Sequence, residues 1–198
     1  DIVADGVALY SALASGDASY GYLSGTSMAS PNAAGSVTLL QEHFQETHGG
    51  TQMLASTLKG LVIHSANEAG LIEGPDYMHG WGLLNIERAA NIISNDGEDN
   101  QIIENILTQN NSYSIDITLE ETSPLIATIC WTDPPGNPVL PALNPTDKML
   151  VNDLDLRITG NGTTYYPYVL NPSQPHLPAT SRHNNTKNKK KIYIAAAG

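Results

Sequence analysis

A single cysteine, Cys130, stands in 198 residues, so no disulfide framework is available within the chain. It lies in an apolar run and reads as a small hydrophobe rather than a nucleophile. Cations are scarce as well. Nine Lys and Arg against twenty Asp and Glu give a net charge of −11, which argues against a nucleic-acid partner. No apolar run approaches the roughly 20 residues of a membrane-spanning helix, so no membrane partner is expected. No histidine has metal-ligand spacing to another histidine or to the cysteine. No secretory leader is visible. The chain begins inside what reads as a strand, without Met, and is read as a piece of a longer protein.

What is present is one stretch, Gly25-Thr26-Ser27-Met28-Ala29-Ser30-Pro31, leading into a helical pattern in which Val37, Leu40 and Phe44 recur at spacings of three and four. Pro31 is expected in the first turn, where a missing N–H costs little. Ala29, Ala33, Ala34 and Gly35 let this end of the helix pack closely. An exposed serine at a buried helix start suits a nucleophile: the Ser27 N–H is available to a developing oxyanion, and the helix dipole favours negative charge there. A bare Ser-x-x-Ser would equally suit an ordinary N-cap.

The longer run from Ser24 to Gly35, SGTSMASPNAAG, resembles the nucleophile segment of the subtilisin-like serine proteases. The resemblance implies the C-terminal part of a three-layer α/β catalytic fold over residues 1–97, with Ser27 as nucleophile within Gly25-Thr26-Ser27. It extends to Asp1–Gly6, where Asp5 replaces the usual proline, and to Gly80-Trp81-Gly82 ahead of a last helix.

Taken in order, Ile2 to Tyr10 reads as a strand broken at Asp5-Gly6. A helix is expected from Ser27 to His48, stopped by Gly49-Gly50. A second, capped by Thr51, carries Leu54, Leu58, Leu61 and Val62, and a third spans Asn85 to Ile93. A polar boundary follows, and the period then changes to two. Tyr113 to Leu119 alternates, Leu125 to Trp131 is continuously apolar, Leu154, Leu156 and Ile158 alternate again, and Asn161-Gly162 signals a hairpin with Thr163 to Leu170. A last strand is expected at Ile192 to Ala196. Residues 98–198 therefore read as an antiparallel β-sandwich.

Trp131-Thr132-Asp133-Pro134-Pro135-Gly136 and Leu150-Val151-Asn152-Asp153-Leu154-Asp155-Leu156 resemble the jelly-roll domain that follows the catalytic domain in one group of subtilases, similar to the P domain of kexin-like convertases. Asn184 to Lys191, NNTKNKKK, departs from that pattern, and the final strands of a complete jelly roll are missing. Asp153 and Asp155 share a strand face. Two carboxylates there suit either a hard cation or a solvated face neutralised by Arg157. The resemblance implies structural calcium, with Asn152, Asp153 and Asp155 as ligands. Lys187 to Lys191 reads as an exposed loop. Asn110, Asn161 and Asn184 head glycosylation sequons.

A serine hydroxyl needs a base held by a carboxylate, and subtilases carry them in the order Asp, His, Ser. With Ser27 so early, both are expected from a preceding N-terminal part of the catalytic domain. His43 and His48 lie ~24 and ~31 Å along the helix, out of reach. His64 and His79 read as structural. The expectation is a secreted serine endopeptidase acting on proteins or peptides, needing no cofactor for its chemistry, of which this chain alone is inactive. The alternative is a pseudoprotease or a non-catalytic β-sandwich binding module that keeps the serine motif as scaffold.

Overall fold

A computed structural model describes residues 1–119, 123–143 and 147–195. Three helices come first: α1 (Thr26–Thr47), α2 (Ala55–Ser65) and α3 (Ile86–Ser94). Their apolar stripes meet in one core of Leu40 and Phe44 from α1, Met53, Leu61 and Val62 at and on α2, and Ala89, Ile92 and Ile93 from α3. Gln41 on α1 ties in the approach to α2 by satisfying both backbone groups of Met53, at 2.9 and 3.0 Å.

The helix ends show how each element is set. α1 begins at Thr26, so Pro31 falls in its second turn rather than its first. Proline offers no N–H, and the carbonyl four residues back, that of Ser27, loses its helical partner. α1 stops ahead of Gly49-Gly50, as expected. α2 does not start at Thr51. The Thr51 hydroxyl instead donates back to the His48 carbonyl at 2.7 Å. The Leu54 N–H at the start of α2 donates to Glu104 Oε1 at 2.9 Å, and the Thr57 hydroxyl reaches the same oxygen. A carboxylate fifty residues away does the capping, and local sequence cannot reveal it. α3 has a local cap: the Arg88 N–H donates to Asn85 Oδ1 at 2.8 Å.

The strands pair two by two. β1 (Leu9–Ala12) and β2 (Tyr20–Leu23) form an antiparallel hairpin in register Leu9↔Leu23. The expected strand from Ile2 is otherwise a single parallel bridge, Val3 to Leu83, flanked by hydrogen bonds of 2.9 Å to Gly82 and Leu84. β3 (Leu125–Cys130) pairs antiparallel with β8 (Lys189–Ile194) and packs on α2. β4 (Ile158–Gly160) and β5 (Thr163–Tyr165) close over Asn161-Gly162, whose φ values of 50° and 75° are those of the expected tight hairpin turn. β6 (Tyr168–Val169) pairs with β7 (Thr180–Ser181).

The sandwich expected over residues 98–198 is not formed among the described residues. Its strands make three separate antiparallel pairs. The alternating run from Tyr113 to Leu119 forms no strand, and its apolar members Tyr113, Ile115, Ile117 and Leu119 are all exposed. Alternation marks a strand only when a partner strand and a covering layer exist, and neither is supplied among the described residues. Leu154, Leu156 and Ile158 keep the expected alternation of burial, but only the last is in a ladder. The last strand begins three residues earlier than expected, at Lys189; Ala196 lies outside the described residues.

Candidate active site

The serine turn is built from two glycines and a helix start. Gly25 has φ 148° and ψ 171°, a conformation that side chains disfavour, and it reverses the chain from β2 into α1. Its N–H donates to the Gly6 carbonyl at 2.8 Å. Gly6 must be bare for this contact: a Cβ there would lie 2.7 Å from the Gly25 oxygen and 2.9 Å from Ala29 Cβ. Ser24 Oγ accepts the Ala8 N–H at 2.8 Å and pins the turn from the other side. Met28 and Ala29 N–H groups close the first helical bonds onto the Gly25 carbonyl, at 3.0 and 3.2 Å. The N–H groups of Thr26 and Ser27 precede them and point out of the helix start. Ser27 is exposed, and the first turn holds no acidic side chain to neutralise the positive end of the dipole. The arrangement can present a hydroxyl and an oxyanion donor together.

Among the described residues no histidine is hydrogen-bonded to Ser27. His43 Nε2 pairs with Ser94 Oγ at 2.8 Å and His48 Nε2 with Asp96 at 3.1 Å, both towards the far end of α1. His48 also stacks on Phe44, with ring centroids 3.8 Å apart. A cavity of about 490 Å³ lies at that same far end, lined in part by Thr47, His48, Ser94 and Asp96. His64 is largely buried at the end of α2, its Nδ1 3.1 Å from Thr128 Oγ1. Burial first, then the charges of Lys191 and Arg88, push its pKa down to about 4, so it stays neutral and structural, as expected.

His79 pairs through Nδ1 with Asp76 Oδ2 at 3.1 Å. Burial would raise the Asp76 carboxyl, but hydrogen bonds from the His79 backbone and ring and the Met78 N–H offset it and hold it below its usual value. The pair stabilises the loop between α2 and α3, as a structural histidine does. It lies beside Asp1, whose carbonyl accepts the Trp81 N–H at 2.8 Å, whereas the serine turn touches the same segment five residues on, at Gly6.

The two motifs of the β region do meet in space. Asp133 accepts the N–H groups of Val151 and Asn152 at 2.7 and 2.8 Å, and the Trp131 indole donates to the Asn152 carbonyl at 3.1 Å. Asp153 and Asp155 face one side, as the alternation requires, but a lysine takes the place expected for calcium. Lys190 Nζ lies 3.1 Å from Asp153 Oδ1 and 3.2 Å from Asp155 Oδ1. The second oxygens are held by Lys148, at 3.2 Å, and His183, at 2.7 Å. Asn152 meets Asp133 through its backbone N–H. Calcium takes six to eight oxygens, and these residues do not offer them. Among the described residues no group of three or more His, Cys, Asp and Glu side chains is placed to hold a metal.

The lysine run is not wholly the exposed loop expected. Lys189 and Lys190 are buried on β8 rather than exposed in a loop, and Lys191 is half-buried. Lys189 pairs with Asp1, which also takes Lys59 at 3.3 Å. Lys191 Nζ donates to the carbonyls of Ile63 and His64 at 3.0 and 3.1 Å, capping the end of α2. Burial pushes the ammonium groups of Lys189 and Lys191 down to about 8. Cys130 is half-buried and burial raises its thiol, which leaves it a poor nucleophile. Of the sequon asparagines, Asn110 and Asn161 are exposed. Asn184 is buried, with its carboxamide bonded to the Tyr168 carbonyl and the Thr186 N–H.

Compared with known proteins, residues 1–82 match the model of the subtilase family, peptidase S8, a family of serine peptidases. The match includes the whole serine turn and ends at Gly82. No curated protein matches the chain.

Proposed function

We propose, on the likeness of residues 1–82 to the subtilases, that this chain carries the nucleophile of a subtilisin-type serine endopeptidase, with Ser27 in that role. The observation that carries the reading is the serine turn: an exposed hydroxyl and a free N–H at the start of a long helix, on a glycine that only a bare Gly6 can approach. In the reaction the Ser27 oxygen attacks the scissile carbonyl of a protein or peptide substrate. Its proton passes to a histidine base, and the Ser27 N–H donates to the oxyanion of the tetrahedral intermediate. Collapse expels the amine and leaves an acyl-enzyme on Ser27, which water then hydrolyses.

The histidine and its carboxylate are supplied by another part of the catalytic domain, an N-terminal polypeptide that docks on this chain, and the chain alone is inactive. Support comes from His43, His48, His64, His79 and His183, whose ring nitrogens are bonded elsewhere, and from the surface beside the serine. Tyr10, Tyr20 and Tyr22 are exposed together on one face of the β1–β2 hairpin, and Val7, Leu23 and Leu39 are exposed as well, apolar surface that a further layer of the domain would cover. Residues 1–97 form the catalytic part in this reading, and residues 98–198 a β domain appended to it through β3 and α2. The subtilase likeness also supports secretion.

The test is labelling with a fluorophosphonate, which reports a serine made nucleophilic by a base. The chain alone is expected not to label. With the N-terminal portion added it is expected to label, and Ser27→Ala to abolish the signal while leaving stability within about 0.5 kcal/mol, since the side chain is exposed. Labelling of the isolated chain that is lost in Ser27→Ala would mean that a base lies within it. Labelling that survives Ser27→Ala would remove Ser27 from the role.

A further inference from the structure

Three of the nine Lys and Arg of this acidic chain stand side by side on β8, and the middle one, Lys190, is completely buried. A buried ammonium is tolerated only when its charge and its three donors are met. Here two carboxylates meet it, Asp153 Oδ1 at 3.1 Å and Asp155 Oδ1 at 3.2 Å, and the Trp131 ring covers it with its centroid 5.6 Å from Nζ. The ring is itself fixed, by its indole donation to the Asn152 carbonyl and by Asn188 Nδ2 on the Trp131 carbonyl at 3.0 Å.

The outer oxygens of the same carboxylates are taken by Lys148 and His183. All four oxygens of the pair therefore have partners within this chain, three on lysine and one on His183, and the two lysines already balance the two carboxylates. A divalent ion would have to displace Lys190 from a strand whose register is locked to β3 through Ile129↔Lys190. We propose that Lys190 is a built-in counter-ion that fastens β8 to the 153–155 segment, and that the site consequently takes no calcium.

The experiment uses the full chain. Thermal unfolding is followed with excess calcium and with EDTA, and the two melting temperatures are expected to coincide. A calcium-dependent rise of several degrees would overturn the proposal. Lys190→Met, which removes the charge and keeps the length, is expected to lower melting by on the order of 10 °C, because it leaves the two carboxylates without their shared cation. A change within about 2 °C would overturn it. Should Lys190→Met fail to fold, Asp155→Asn serves in its place, since that residue is half exposed. It is expected to melt several degrees lower, and an unchanged melting temperature would overturn the proposal equally.

Discussion

His64 makes the stability of the chain sensitive to mild acid. Its imidazole is packed at the end of α2, accepts or donates one hydrogen bond with Thr128, and faces the positive charges of Lys191 and Arg88. In the unfolded chain it takes up a proton near pH 6.5, in the folded chain only near pH 4. Between those values the unfolded state holds the extra proton. The stability contributed by the neutral ring is therefore complete above pH 6.5 and lost as pH falls through 4.

At about 1.4 kcal/mol per pH unit the whole interval is worth about 3 kcal/mol, and about 2 kcal/mol of it is gone by about pH 5. Urea unfolding of the chain and of His64→Asn, across pH 6.5 to 4, isolates the effect. Every other titrating group cancels in the difference. The variant is expected to lose about 1 kcal/mol at neutral pH, where the Thr128 bond is altered, and to overtake the parent as the pH falls. Curves that run parallel within about 0.5 kcal/mol across the interval would refute the reasoning, because the ring would then be protonating in place.

Two further substitutions probe the serine turn and the remote cap. Gly6→Ala pushes a methyl onto the Gly25 oxygen and Ala29 Cβ, and is expected to cost roughly 1–3 kcal/mol in urea unfolding and to reduce fluorophosphonate labelling of the complemented chain. Glu104→Ala strips the acceptor from the Leu54 N–H and the Thr57 hydroxyl. It should lower stability by about 0.5–2 kcal/mol through the urea midpoint with an unchanged slope, and Glu104→Gln should recover part of the loss.

The elements legible in the sequence were those with local causes. α1 and α3 carry their periodic stripes and their start or stop signals with them, and Asn161-Gly162 determines its own turn. The serine turn was legible because its motif is contiguous, although the need for Gly6 came only from the contact with Gly25. What was not legible depended on distant partners. Glu104 caps α2, and Asp1, Ile63, His64, Asp153 and Asp155 receive the three lysines of β8. A run such as NNTKNKKK reads as solvated when its partners lie tens of residues away. The alternation of Tyr113 to Leu119 misled for the same reason, since a period of two states what a strand would bury without supplying a neighbour.

The position of β8 also bears on the order in which the chain can fold during synthesis. Its ladder with β3 closes a loop of roughly sixty residues, at an entropic cost of about 3–4 kcal/mol before any contact rewards it. Until those six residues have left the ribosome, the last carbonyls of α2 have no lysine, and Asp153 and Asp155 repel each other across an open gap. The helices can assemble early on local contacts, but the β region must wait for its final described strand. A ribosome that stalls short of Lys189 would hold a nascent chain with a formed serine turn and an unfastened remainder, an intermediate that proteases and chaperones would meet first.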